Sequence, residues 1–181
     1  FTFTSNTEFV GNDTFTFTAK DDEAQVSNTA TVTISVSNVN DPPVAQNQSL
    51  AAEEETETGT ITLVATEVDD DNATLTYTIA TLPSNGTLKA GGTVITAAGD
   101  LSGALTFTSN TDFVGNDTFT FTAKDDEAQV SNTATVTISV SNVNDPPVAQ
   151  NQSLTAEEET ETGTITLVAT DVDDDNATLT Y

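Results

Sequence analysis

The sequence predicts an all-β fold, an antiparallel Greek-key β-sandwich repeated in tandem every 104 residues. Three observations predict it. Apolar and hydroxylated residues alternate with period two along short runs, as a strand with one buried and one wetted face requires. Helical three–four spacing is absent from those runs. Residues 1–77 also match residues 105–181 at an offset of 104, differing at Phe1/Leu105, Glu8/Asp112, Ala51/Thr155 and Glu67/Asp171. That offset is close to the common size of one domain.

One complete copy spans residues 44–147, between two copies of the phrase Asn-Val-Asn-Asp-Pro-Pro. Its first candidate strand, 45–50, is short. The run 60–66 places Ile61, Leu63 and Ala65 on one face, and 74–80 follows with Leu75, Tyr77 and Ile79. Candidates 86–89 and 93–96 are short and divided by Gly91-Gly92, while Pro83-Ser84-Asn85-Gly86 is a turn signal before them. Gly99-Asp100 reads as a turn before strand 104–108, and Gly115-Asn116-Asp117 as one before strand 118–123. In 118–123, Phe119 and Phe121 alternate with threonine; in 133–141, Val136, Ile138 and Val140 oppose Thr135, Thr137 and Ser139. Residues 1–43 are expected to be the back of an earlier copy and 148–181 the front of a later one. Half a sandwich would expose an apolar face and unpaired edges, so a longer array is expected around this segment.

Composition narrows the function. The 181 residues hold 29 Asp plus Glu against 3 Lys plus Arg, a formal charge of −26, with no Cys, His, Met or Trp. Thiol nucleophiles, disulfides, zinc fingers and imidazole catalysis are excluded. Three cations against this charge exclude a nucleic-acid groove or an anionic membrane surface as partner. No run is apolar enough to insert in a bilayer. Paired carboxylates alone do not make a glycosidase when no Arg, His or Trp is available to surround a sugar, so no enzyme is expected.

The acids gather at 53–57, 67–71 and 125–127, with Asp145 standing in the linker. Crowded carboxylates repel one another, and hard divalent cations with six to eight oxygen ligands offset this. Ca²⁺ suits such a set better than Mg²⁺, which demands a strict octahedron and dehydrates reluctantly. If strands 60–66 and 118–123 run the same way, the acids after both lie at one pole. Strand 133–141 then returns, and the following linker shares the far pole with Glu54. A head-to-tail junction thus collects Glu54, Asn142, Asn144 and Asp145 from one unit with Asp171, Asp173 and Asn176 from the next.

The same residues carry a family resemblance. Ala65-Thr-Glu-Val-Asp-Asp-Asp-Asn-Ala-Thr-Leu-Thr-Tyr77 resembles the cadherin phrase A-T-D-x-D-x-G-x-N-A-x-L-T-Y. Asn142-Val-Asn-Asp-Pro-Pro147 resembles the linker D-x-N-D-N-x-P, Ala123-Lys-Asp125 the A-x-D motif, and Glu54 the P-E-N glutamate. Phe113-Val-Gly-Asn-Asp-Thr-Phe119 is similar to the tandem cadherin-like repeats of large bacterial surface adhesins. The resemblance implies a cadherin/Ig-like sandwich with Ca²⁺ ligands at Glu54, Glu67, Asp69, Asn72, Asp125, Asn144 and Asp145. Adjacent Asp71, together with the equivalents Asp21, Asn38, Asn40 and Asp41 one repeat earlier, completes the expected metal set. There are departures: the L-D-R-E motif has no counterpart, with Asp112 and Asp117 only nearby, Asn142 replaces an acid, and the Asp71-Asn72 loop is one residue short.

The function implied is a calcium-rigidified extracellular repeat at the cell surface, forming an adhesin stalk or surface fibre. Its partners are neighbouring repeats through calcium junctions. Two alternatives stay open: a filament subunit joining other copies from separate chains, and an acidic halophilic module without specific metal sites.

Overall fold

The computed structural model describes residues 1–69, 75–173 and 179–180. A hairpin, β1 (Gly11–Phe17) and β2 (Ala30–Val36), comes first. The central copy then holds β3 (Val44–Ala45), β4 (Gln48–Glu53), β5 (Ala65–Thr66), β6 (Thr76–Thr81), β7 (Gly86–Ala90) and β8 (Thr93–Val94). It continues with β9 (Gly99–Asp100), β10 (Leu105–Ser109), β11 (Gly115–Lys124) and β12 (Ala134–Ser141); β13 (Val148–Ala149) and β14 (Ala169–Thr170) follow.

The central copy is an all-β sandwich. A five-stranded sheet ordered β4-β12-β11-β6-β9 packs on a three-stranded sheet ordered β10-β7-β8. The chain changes sheet between β6 and β7, β8 and β9, β9 and β10, and β10 and β11, which is the crossing pattern of Greek-key connections. Period-two alternation builds the core. Ala134, Val136, Ile138 and Val140 point inward from β12, and Phe119, Phe121 and Ala123 from β11. They meet Leu88, Leu105 and Phe107 of the other sheet, while Tyr77 packs on Phe121 with ring centroids 6.0 Å apart. Gly86 is required where β7 starts, because a Cβ there would sit 2.2 Å from the Phe107 ring.

Four local expectations differ from the structure. In the run 60–66, only Ala65–Thr66 forms a strand, paired with β3, and Ile61 makes a single bridge to Leu105. The alternation nevertheless persists, with Ile61, Leu63, Ala65 and Glu67 all buried. The Gln48 side chain takes the ladder's place, donating Nε2 to the Thr62 carbonyl at 2.8 Å and accepting from the Val64 N–H at 3.1 Å. Gly99-Asp100 is an edge strand on β6 rather than a turn, held where Thr78 Oγ1 donates to Asp100 Oδ1 at 2.6 Å. Residues 115–117 open β11 instead of preceding it. The sandwich also contains one parallel pair, β4 with β12, in register from Gln48↔Val136 to Glu53↔Ser141. Eighty-odd residues separate these strands, so no tight hairpin imposes antiparallel pairing.

The first hairpin copies the register of β11–β12, with Gly11↔Val36 matching Gly115↔Val140. Its burial does not follow. Phe15 and Phe17 are 47% and 50% exposed where Phe119 and Phe121 are 0%.

Candidate cation sites at the two linkers

Each pole of the central copy is built by a strand end that runs its alternation one residue past the apolar core. Glu67 continues the inward face of Ile61, Leu63 and Ala65, so its carboxylate is buried, and Oε1 accepts the Val68 and Asp69 N–H groups at 2.7 and 3.3 Å. Asp125 follows Phe121 and Ala123 and is 3% exposed. Glu54 follows Ala52 at the other pole and is 2% exposed. Burial of three carboxylates has an energetic cost unless each is hydrogen-bonded or neutralised.

At the first linker, Asp41 donates its N–H to Asp69 Oδ2 at 2.6 Å, and Asn40 Nδ2 donates to Asp125 Oδ2 at 2.9 Å. Gln129 Nε2 donates to the Asn40 carbonyl at 2.6 Å. Glu8, Asp41 and Asp69 each offer a carboxylate oxygen, all within 4.8 Å of one another. Asn38 lines a cleft beside Glu8 and Asp41.

The second linker repeats the Asp41–Asp69 contact 104 residues later and adds contacts of its own. Asp145 donates its N–H to Asp173 Oδ2, and Asp173 donates its own to Asp171 Oδ1 at 3.0 Å. Glu54 Oε1 accepts the Val143 N–H at 2.8 Å, and Asn144 Nδ2 donates to the Asp145 carbonyl at 3.0 Å. Burial pushes the Asp145 carboxyl above its ordinary range, and the charges of Glu55, Asp173, Asp112 and Glu54 push it the same way.

The structure therefore brings together Asn40, Asp41, Asp69 and Asp125, with Glu67 on the Asp69 main chain. It also brings Asp145 to Asp173 and Asp171, with Glu54 on Val143. Asn142 is exposed on the linker without joining these bonds, and Asp21 is exposed in the earlier copy, its Oδ1 accepting the Gln25 N–H at 2.7 Å. Asp71, Asn72 and Asn176 lie outside the described residues. Sequence reasoning left Glu8 out of the set and held Asp112 only as a nearby candidate. The signal was present: Glu8/Asp112 is one of two aligned differences that exchange one carboxylate for the other.

The donor set fits a hard divalent cation. Asn40 Oδ1 is buried and has no hydrogen-bond partner among the described residues, an acceptor oxygen beside a carboxylate cluster. Carboxylate and amide oxygens are the ligands Ca²⁺ takes, and His and Cys, the softer ligands, are absent from the chain.

The family model of the bacterial cadherin-like domain matches residues 40–142. Among solved structures, human protocadherin-24 EC1-2 matches with a TM-score of 0.50 and 20% identity, covering 78% of this chain and 70% of that one. A fibronectin(III)-like module structure of Clostridium thermocellum CbhA matches with a TM-score of 0.30 and 17% identity, over 74% of this chain and 64% of that one. The curated proteins gave no match.

Proposed function

We propose, from the premise that this chain belongs to the bacterial cadherin-like domain family, that it is a calcium-stiffened structural repeat of an extracellular stalk or fibre at the cell surface. The family and the fold make it a structural or adhesion module. The finer reading is carried by one observation: the same N–H-to-carboxylate contact recurs at both linkers, Asp41 to Asp69 and Asp145 to Asp173, each inside an acidic cluster. The division that goes with this reading is 1–43, 44–147 and 148–181, and the family match over 40–142 supports the middle unit.

Mechanically, each sandwich is a spacer and each linker a joint. At the first joint Glu8, Asn40, Asp41, Asp69 and Asp125 would hold the cation, with Glu67 supporting; at the second, Glu54, Asp112, Asp145, Asp171 and Asp173. Bound Ca²⁺ supplies positive charge and a shared coordination shell. The chain's part is to set oxygens from two units around one point, while Pro42-Pro43 and Pro146-Pro147 restrict the backbone beside it. No catalytic step is assigned. Among the described residues no helix is long and apolar enough to cross a membrane. Extracellular calcium, at millimolar levels, would load modular sites whose Kd is about 10⁻⁴–10⁻³ M.

Calorimetric titration with Ca²⁺, paired with solution scattering before and after chelation, tests this. The expected outcome is saturable binding, a melting temperature that rises with calcium, and a particle that shortens when calcium is removed. No binding heat and an unchanged scattering profile would remove the calcium reading and leave a plain acidic module.

A further inference from the structure

We infer that Gln129 is a positioning residue that seats the linker on the following sandwich before any cation is bound. The loop after β11 is closed on itself: Asp125 N–H donates to the Gln129 carbonyl at 3.1 Å, and Gln129 N–H donates to Asp125 Oδ1 at 2.7 Å. Ala128 sits between them at φ 70°, a left-handed conformation that non-glycine residues adopt at a cost and that these bonds hold in place. The closed loop grips Asn40 twice. Its side-chain amide is held by Asp125 Oδ2 and its main-chain carbonyl by Gln129 Nε2, at 2.9 and 2.6 Å. Asp41 comes next, and its N–H is then aimed at Asp69.

The chain contains its own control. In the earlier copy, Asp21 N–H donates to the Gln25 carbonyl at 3.1 Å, Gln25 N–H to Asp21 Oδ1 at 2.7 Å, and Ala24 has φ 66°. Asp21 and Gln25 are exposed there, and no linker rests on them among the described residues. The loop thus has the same shape with and without an occupant. It is a preformed seat, and the linker is what fits it. Across the second linker, Glu54 holds the Val143 N–H and Asp173 holds the Asp145 N–H, leaving Asn144 as the residue between the two units' grips. Joint direction is then set by hydrogen bonds from both sides, and a cation would tighten a joint already posed. Gln129 serves calcium only if the cation reading holds, but its bonds to Asn40 do not depend on it.

Amide hydrogen exchange on the whole chain in excess chelator tests the seat. In the unsubstituted chain the Asp41 amide should be protected without calcium. Gln129→Ala and the similarly sized Gln129→Glu should each speed its exchange about three- to tenfold, the range for losing one such bond. Val136 and Ile138 amides should be unchanged, and Gln25→Ala should leave Asp41 as it was. Should Gln129→Ala fail to fold, seen as lost protection at Val136, the Glu variant and the unsubstituted chain still decide. An Asp41 amide that is unprotected until calcium is added, or indifferent to Gln129, overturns the seat while leaving the calcium reading intact. Absent calcium binding with a protected Asp41 does the reverse.

Discussion

At the scale of the residue, the buried carboxylates divide by what they touch. Asp117 is 5% exposed and points inward from β11, yet it lies apart from the linkers. Its oxygens accept the N–H groups of Ser84, Asn85 and Thr118 at 3.1, 2.8 and 2.8 Å, pinning the turn that leads into β7. Asp117→Ala strands those buried donors and should lower stability by about 2–3 kcal/mol in urea unfolding, without changing calcium binding. A comparable loss of calcium affinity would show that it is a ligand after all. Glu57 is a surface case. Its carboxyl is held below the ordinary 4.5, first by the Thr106 hydroxyl, which donates to it at 2.7 Å, then by Lys89, 3.3 Å away. Because the folded value is the lower one, the stabilisation is complete above 4.5 and is lost as pH falls through the folded value. NMR titration should show Glu57 moving back up in Thr106→Val and also in Lys89→Ala; no movement in the Thr variant would refute the assigned cause.

At the scale of the element, one hairpin sequence occurs in two settings. β11–β12 and β1–β2 share their register, but Phe121 is roofed by strands from residues 44–109, while Phe17 is 50% exposed. Phe121→Ala should therefore cost about 3–5 kcal/mol and Phe17→Ala less than about 1 kcal/mol, read from denaturant unfolding of each variant. Equal losses would mean that Phe17 is covered in solution. Irregular elements are completed by side-chain amides: Asn132 Oδ1 accepts the Ala45 N–H and its Nδ2 donates to the Ala45 carbonyl, both at 3.0 Å, where β3 has no second strand neighbour among the described residues.

At the scale of the whole molecule, a charge of −26 with 3 basic residues sets a standing repulsion, concentrated at the poles. In the proposed stalk a bound cation offsets that repulsion and tightens joints that the linker's hydrogen bonds already pose. Asp145→Ala removes one carboxylate from the second junction and keeps every strand. With calcium present, scattering should show a more bent particle and calorimetry a smaller binding heat, while circular dichroism is unchanged. If strand content falls instead, Asp145 belongs to the fold and not to the joint.

Periodicity by itself determined the all-β class, the inward positions of Phe119, Phe121, Val136 and Ile138, and the acidic ends of the strands, and the sequence repeats itself at an offset of 104. A strand's alternation is local, so it can be read from neighbours two apart in the chain. It even carries Glu67 and Asp125 inward, because each sits on the buried phase of its strand. Tertiary structure alone decided the parallel pairing of β4 with β12, the conversion of Gly99-Asp100 from turn to edge strand, and the recruitment of Glu8 and Gln129 to the linker. Each depends on contacts between residues 20 to 90 positions apart, where the chain's path through space, and not its local pattern, fixes who meets whom.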